Sequence, residues 1–264
     1  MKSQARSGLA LCFMTDDHRP KIRQANFRFY EELNDFLPDD RKRSSFVYEF
    51  KGTPSAKDLI ESLGVPHTEI DLILVNDEPV NFSHQLHGGE RVAVFPVFER
   101  FDISPANRLR PRPLRQIRFV LDVHLGKLAR LLRLAGMDCI YRNDLDDLEI
   151  IEIAGRDKRT ILSRDKGILK NARVTHGYWV RATDPPTQLR EIVEAFDLRR
   201  SLRPFSRCME CNGHLRIADD ADVIDQIPFA VLVAFDDFWQ CEQCRRVYWK
   251  GSHYTQLATL LEQI

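Results

Sequence analysis

Two Cys-x-x-Cys pairs near the C-terminus constrain the fold of this chain more than any other feature. The four cysteines are Cys208, Cys211, Cys241 and Cys244. Each pair places two thiolates on one tight turn, so the two pairs together supply the four sulfurs of a tetrahedral structural zinc site. Asn212-Gly213, directly after the first pair, suits such a turn. Disulfides or free thiols are the alternatives, but this combination of spacings is typical of a zinc ribbon.

A zinc ion held by four thiolates has no open position for water or substrate, so any catalytic chemistry must lie elsewhere in the chain. At 264 residues, the chain is long enough for two or three domains. Lysine plus arginine equals aspartate plus glutamate at 39 each, so net charge does not indicate a partner. Arginine is nevertheless concentrated locally, in residues 108–118 and 199–207, and neither run contains an acidic residue. Such runs are solvated faces, linkers or phosphate contacts.

The remaining cysteines, Cys12 and Cys139, are too few and too far apart for a disulfide framework, which favours a reducing, cytoplasmic location. We interpret residues 1–23 as a disordered leader, because the apolar run over residues 8–14 is short for a signal peptide. No apolar stretch approaches the length of a membrane span, so we expect no membrane association.

Residues 24–101 predict a small α+β domain. Strands are expected over 25–30, 45–50, 72–75, 79–82 and 91–97, with a helix over 55–63 that Gly64 ends. This ββαββ order is typical of a ubiquitin-like β-grasp module. The step Leu86–Val92 resembles that of sulfur carriers, but the free Gly-Gly end of a carrier is missing, so we expect a binding or positioning role. Three prolines then mark residues 102–114 as a linker, and we expect the module to be separable.

Residues 115–200 alternate between short apolar strands and helices, which predicts a parallel sheet covered by helices. Strands are expected over 117–121, 139–141, 160–162 and 178–180, and helices over 125–135, 145–154 and 187–196. Residues 201–264 are expected to form the zinc ribbon and a C-terminal helix.

Acidic residues follow three of these strands, where ligands of open α/β sheets bind. They are Asp122, Asp144 and Asp165. Carboxylates that converge repel one another unless a cation shares them, and hard oxygen ligands suit magnesium or manganese. Each residue also has a structural alternative: Asp144 can cap the next helix with Asp147 in its first turn, and Asp165 can cap the turn that follows it. Asp184, after the fourth strand, is a weaker candidate.

The helix after Asp122 has an apolar side and a basic side. The basic residues are Lys127, Arg130 and Arg133. A basic face beside metal-binding carboxylates is what a nucleic-acid backbone requires, although a solvated face is equally consistent with the pattern. We assign Arg164, next to Asp165, to the same predicted RNA-binding set.

Five motifs in order resemble the Mut-seven C-terminal RNase family. They are Phe119–Asp122 with Leu125–Arg133, Tyr141–Asp144, Ile161–Asp165, Arg207–Asn212 and Tyr248–Tyr254. The resemblance implies a PIN-like nuclease domain with a zinc ribbon, and some family members carry an N-terminal ubiquitin-like module. It also implies that Asp122, Asp144 and Asp165 form the catalytic site, with Asp147 as a further member. Ser163 stands where threonine is common in the family and keeps the hydroxyl.

The resemblance implies metal-dependent hydrolysis of RNA, with structural zinc and with Mg or Mn as cofactors. The main alternative is a non-catalytic adaptor that binds RNA or the ribosome through the ribbon and the β-grasp module. That module is also the expected contact for another protein. A sulfur-transfer partner is a third, weaker hypothesis, against which the missing Gly-Gly end argues.

Overall fold

The computed structural model describes residues 22–96, Leu109 and residues 117–264, except for the side chains of Asp220, Ser252 and His253. The predicted leader over residues 1–23 and the predicted linker over residues 102–114 therefore fall almost entirely outside the described residues. None of the described helices is long and apolar enough to cross a membrane.

Alternating apolar residues build the N-terminal sheet. Its elements are β1 (Ile22–Phe29), β2 (Phe46–Lys51), α1 (Ala56–Ser62), β3 (Ile70–Val75), β4 (Glu78–Val80) and β5 (Arg91–Pro96). The strand order is β2-β1-β5-β3-β4, with β1 parallel to β5 and the other neighbours antiparallel. Every second residue of β1 points into the core, including the fully buried Phe27 and Phe29. The domain is a β-grasp, as the sequence predicts.

Local signals set the boundaries of this domain. Ser55 and Asp58 form a reciprocal capping box at the start of α1. Asn76 and Asp77 both have positive φ, 49° and 69°, which is the conformation of the two-residue turn between β3 and β4.

The second domain is an α/β sandwich. Its elements are β6 (Phe119–Leu121), α2 (Gly126–Leu134), β7 (Cys139–Ile140), α3 (Asp147–Asp157), β8 (Thr160–Ser163), α4 (Lys166–Leu169), β9 (Gly177–Trp179) and α5 (Pro185–Ala195). All neighbouring strands are parallel, in the order β7-β6-β8-β9. Helices α2 and α5 cover one face with Phe119 and Leu121, and α3 and α4 cover the other with Val120.

The third region is a small antiparallel sheet. Its elements are β10 (Leu215–Ala218), α6 (Asp220–Val223), α7 (Phe229–Ala234), β11 (Phe238–Cys241), β12 (Val247–Trp249) and α8 (Ser252–Glu262). The strand order is β10-β11-β12. The structure therefore has the predicted fold class: a β-grasp domain, a parallel α/β domain and a C-terminal cysteine cluster on a ribbon.

The β-grasp domain packs against the edge of the parallel sheet at β9. The Phe36 and Trp179 rings lie 4.8 Å apart, and the Glu69 carboxylate accepts a hydrogen bond from the backbone N–H of Trp179. Arg181 donates to Asp35 at 2.9 Å and to Glu69 at 3.5 Å. This contact joins the module to the loop after β9 and argues against the separability that the sequence suggests.

Candidate active site and candidate zinc site

Asp122 directly follows strand β6 and is almost completely buried, with 4 % of its surface exposed. Its backbone N–H donates to the carbonyl oxygen of Leu162 at 3.0 Å, which continues the pairing of β6 with β8 up to the carboxylate. The Ser163 hydroxyl donates to Asp122 Oδ2 at 2.7 Å and accepts from the backbone N–H of Asp165 at 2.8 Å. The serine hydroxyl thus couples the ends of two neighbouring strands.

The hydrogen-bonded Asp122 and Ser163 lie where the strand order reverses. From β6 the chain moves to β7 on one side of the sheet, and it then returns to β8 on the other side. The connections diverge there and leave a crevice outside the carboxyl ends of β6 and β8, which is the ligand position of open α/β sheets.

Asp147 is the first residue of α3, and Asp165 is the N-cap residue of α4. The pKa of Asp147 is raised, first by partial burial and then by the negative charges of Asp122, Asp165 and Asp146. Asp165 Oδ1 accepts from the backbone N–H of Gly167 at 2.7 Å, so the capping role considered from the sequence also holds. Asp122 and Asp165 therefore lie near enough to Asp147 for their charges to act on it, and we call these three residues the acidic group.

Asp144 has a different environment. Its exposed carboxylate pairs with Arg142 at 3.0 Å, and its charge is not among those that raise the pKa of Asp147. Asp146, which the sequence analysis missed, caps α3 in a reciprocal capping box with Glu149. The spacing of Asp146 and Glu149, three residues apart, is the sequence signal that could have predicted this cap. Asp184 caps α5 through the backbone N–H of Thr187.

The predicted basic residues have different environments. Lys127 is exposed, and Arg130 is exposed with an ion pair to Glu210 at 2.9 Å. Arg164 is exposed and donates to the carbonyl oxygens of Arg181 and Ala182. These three side chains are accessible to a phosphate.

The structure corrects the prediction that Arg133 binds RNA. This residue was expected on the basic face, but only 3 % of its surface is exposed. Its guanidinium donates to the carbonyl oxygens of Cys139, Met209 and Glu210, at 3.0, 3.1 and 2.6 Å. A buried guanidinium with these partners cannot reach RNA, so we withdraw it from the predicted RNA-binding set.

The acidic group has the chemistry of a divalent-cation site, although its oxygens are not drawn together. In the described part of the chain, no cationic side chain pairs with Asp122, and the Asp147 side chain makes no hydrogen bond. A buried carboxylate without a cation is costly, and three neighbouring carboxylates add repulsion. Among the described residues, only the four cysteines form a group of three or more ligand atoms within 4.8 Å of one another. The carboxylates have the charge that a bound cation requires, but their oxygens do not all lie within 4.8 Å of one another in this structure.

The four cysteine sulfurs converge at the tips of two turns. Cys208 Sγ lies 3.6 Å from Cys244 Sγ, and Cys211 Sγ lies 3.4 Å from Cys241 Sγ. Sulfurs around a tetrahedral zinc ion lie about 3.8 Å apart, given Zn–S bonds of about 2.3 Å. The four cysteines can therefore hold a zinc ion.

The two turns repeat the same backbone pattern. The N–H of Asn212 donates to the carbonyl oxygen of Cys208, and the N–H of Arg245 donates to that of Cys241, at 3.0 and 3.1 Å. Both donors have positive φ, 71° and 63°. The repetition places two sulfurs from each turn on one side of the site.

Comparisons with known proteins agree with this arrangement. The family model of the Mut7-C RNAse domain matches residues 117–261, which is more than half of the chain. The chain belongs to the Mut7-C RNAse domain family. A second family model, the Mut7-C ubiquitin domain, matches residues 22–102. Comparison with curated proteins and with solved structures gave no match.

The ribbon is firmly attached to the α/β part of the Mut7-C RNAse domain. Besides the Arg133 hydrogen bonds, Asn212 Oδ1 accepts from the backbone N–H of Cys139 at 3.0 Å. Asn212 Nδ2 donates to Asp138, which also pairs with Arg159 at 2.8 Å. The first cysteine turn is thereby connected to the start of β7.

Proposed function

We propose that this protein is a metal-dependent ribonuclease whose acidic group, Asp122, Asp147 and Asp165, binds Mg or Mn. The observation that carries the proposal is the buried Asp122 carboxylate, which lies at the switch point of the parallel sheet and has no cationic partner among the described residues. Membership of the Mut7-C RNAse domain family supports a nuclease-related function. Asp144, which the sequence predicted as a member, is not required in this proposal.

Each residue has a distinct role in the proposed reaction. Asp122 anchors the cation, and the Ser163 hydroxyl fixes the orientation of that carboxylate. Asp147 and Asp165 complete the ligand set from the starts of two helices. The chemistry supplied by such a cation is stabilisation of charge on the scissile phosphate and a lower pKa for the attacking water. Lys127 and Arg130 hold the RNA backbone beside the site.

Cleavage of labelled RNAs by the purified protein tests this proposal. We expect cleavage in manganese and none with a chelator. Asp122→Asn should abolish cleavage yet keep or raise RNA affinity, because it removes a metal ligand together with one negative charge. Cleavage by this variant at the wild-type rate would assign the activity to another site or to a contaminant.

Asp144→Asn is the matched control, since it removes an equally charged carboxylate that lies outside the acidic group. We expect this variant to cleave RNA like the wild type. Ser163→Thr should also retain activity, because threonine keeps the hydroxyl that binds Asp122. Loss of cleavage in Asp144→Asn, with the fold intact, would restore the residue set predicted from the sequence.

A non-catalytic adaptor is the second candidate, favoured by the separation of the carboxylate oxygens. It would use the ribbon to bind RNA or the ribosome, with the β-grasp domain contacting another protein. It predicts manganese-independent binding and no cleavage in any RNA tested. The cytoplasmic location expected from the cysteine content suits either function.

A further inference from the structure

A cavity of about 340 Å³ lies where the ribbon meets the end of α2 and helix α8. Its walls are rich in aromatic rings and include one arginine. These residues are Phe205, Arg207, Trp239, Tyr248, Trp249 and Tyr254. The volume falls in the range of sites for small organic groups. Neither the acidic group nor the cysteine cluster accounts for this cavity.

The aromatic rings of the cavity are half-buried. Trp239 and Tyr248 are directly opposite each other on β11 and β12, so their side chains share one face of the sheet. Both are half-buried, and the Tyr248 hydroxyl lies 3.1 Å from Cys208 Sγ, which orients its ring beside the cysteine cluster. The Lys250 ammonium lies 5.2 Å from the centre of the Trp239 ring.

Phe205 reaches the cavity from an unusual backbone conformation. Its φ is 58°, a region that bulky residues rarely adopt and that costs free energy. The backbone N–H of Phe205 donates to the carbonyl oxygen of Leu134 at 2.8 Å, which stabilises that conformation. The ring stacks on Tyr254 with centroids 4.3 Å apart. The strained backbone thus presents an aromatic ring to the cavity.

The segment that leads into the cavity is basic. Residues 199–207 contain four arginines and no acidic residue. No ion pair within the described part of the chain involves Arg203 or Arg207. Helix α2, nine residues long, connects the catalytic edge to the cavity over about 13 Å, a span of a few nucleotides.

We propose that this cavity binds an unpaired base of single-stranded RNA, with Trp239 as the main stacking platform and the arginine segment holding the adjacent phosphates. Aromatic faces stack any base, and neighbouring cations attract the backbone. An apolar side chain of a protein would not require Arg203 and Arg207 at the entrance, and neither forms an ion pair within the described residues. This inference rests on the proposed function in one respect. It takes RNA, the proposed substrate of the acidic group, to be the ligand of the ribbon as well.

Binding of two probes to the full chain tests this inference. One probe is fluorescein-labelled oligouridine of about 12 nucleotides, and the other is an abasic ribose-phosphate strand of the same length and charge. Anisotropy is measured with Asp122→Asn protein in a chelator, so that the result does not depend on catalysis. We expect oligouridine to bind more tightly than the abasic strand. Trp239→Leu should weaken oligouridine binding by roughly 5- to 150-fold and remove the difference between the probes.

Two variants control for damage to the fold. Trp239→Tyr keeps a stacking ring and should retain most of the affinity. Phe229→Leu removes an aromatic ring that is 78 % exposed on α7, outside the cavity, and should bind both probes like the parent protein. If Trp239→Leu binds oligouridine like its parent, or if the abasic strand binds equally well to the parent, the cavity does not hold a base. Cleavage in manganese is measured separately, so either proposal can fail alone.

Discussion

Arg130 and Arg133 lie three residues apart on α2, yet only Arg130 is accessible to a phosphate. Helical periodicity placed both with Lys127 on a basic face. The partners that bury Arg133 are backbone carbonyl oxygens of Met209 and Glu210, more than seventy residues along the chain. Side-chain periodicity does not identify such partners, because every carbonyl oxygen looks alike in a sequence. Asp122, in contrast, could be recognised from the sequence as a candidate site residue, since a carboxylate at the end of an apolar strand is unusual.

Substitution of Arg133 should destabilise the protein much more than substitution of Arg130. Arg133→Ala leaves several carbonyl oxygens without donors, which costs about 3 kcal/mol in the free energy of unfolding. Arg130→Ala removes an exposed ion pair that contributes about 1 kcal/mol or less. Urea denaturation measures both values. For RNA binding we expect the opposite order, with the larger effect in Arg130→Ala. That variant should reduce the slope of the logarithm of the binding constant against the logarithm of salt concentration by about one unit. Equal stability of the two variants would contradict the structural role of Arg133.

Most helices and strands were predicted from periodicity because their apolar residues recur at the spacing of one buried face. The start of α3 was predicted two residues early, since Asp146 rather than Asp144 caps it. The short helices α6 and α7, between the cysteine pairs, were not predicted. Four- and six-residue helices show too little periodicity to be recognised. The cysteine spacing, in contrast, predicted the convergence of all four sulfurs.

The cysteine cluster should contain about one zinc ion per chain by metal analysis. Cys208→Ser should lose that zinc and lower the melting temperature, because the two turns are then joined only by their backbone. Cys139→Ala is the control: Cys139 is fully buried outside the cluster, and burial raises the pKa of its thiol. This variant should keep its zinc. Rapid reaction of all four cluster thiols in the native protein would contradict a zinc site.

The contact between the β-grasp domain and the α/β domain could not be predicted from sequence, because it depends on how two separately folded surfaces meet. At its centre is Glu69, only 3 % exposed, beside Arg181. Burial raises the pKa of Glu69 to about 7, although Arg181 and the Trp179 N–H oppose the shift. The contact therefore includes a carboxyl group that titrates near neutral pH.

This titration should make the whole molecule less stable as pH rises. Between about pH 4.5 and pH 7 the folded protein retains a proton on Glu69 that the unfolded chain releases, so the free energy of unfolding falls through this window and stays low above it. Glu69→Gln should remove this dependence. Relative to that variant, the wild type should lose roughly 1–3 kcal/mol from about pH 5 to pH 8 in urea denaturation. Parallel pH profiles of the wild type and the Glu69→Gln variant would show that Glu69 does not titrate in this window.

Gly136, which ends α2, has a consequence for how this sequence can vary. Its φ is 91°, and any Cβ at this position would overlap the carbonyl oxygen of Arg203. The segment that contains Arg203 is held close to Gly136, because the N–H of Arg203 donates to the carbonyl oxygen of Ala135 at 2.9 Å. In a random-substitution library, position 136 should tolerate glycine alone, although it carries no charge and no reactive group. A methyl group here would displace Arg203 and Phe205 while leaving the acidic edge of the sheet in place.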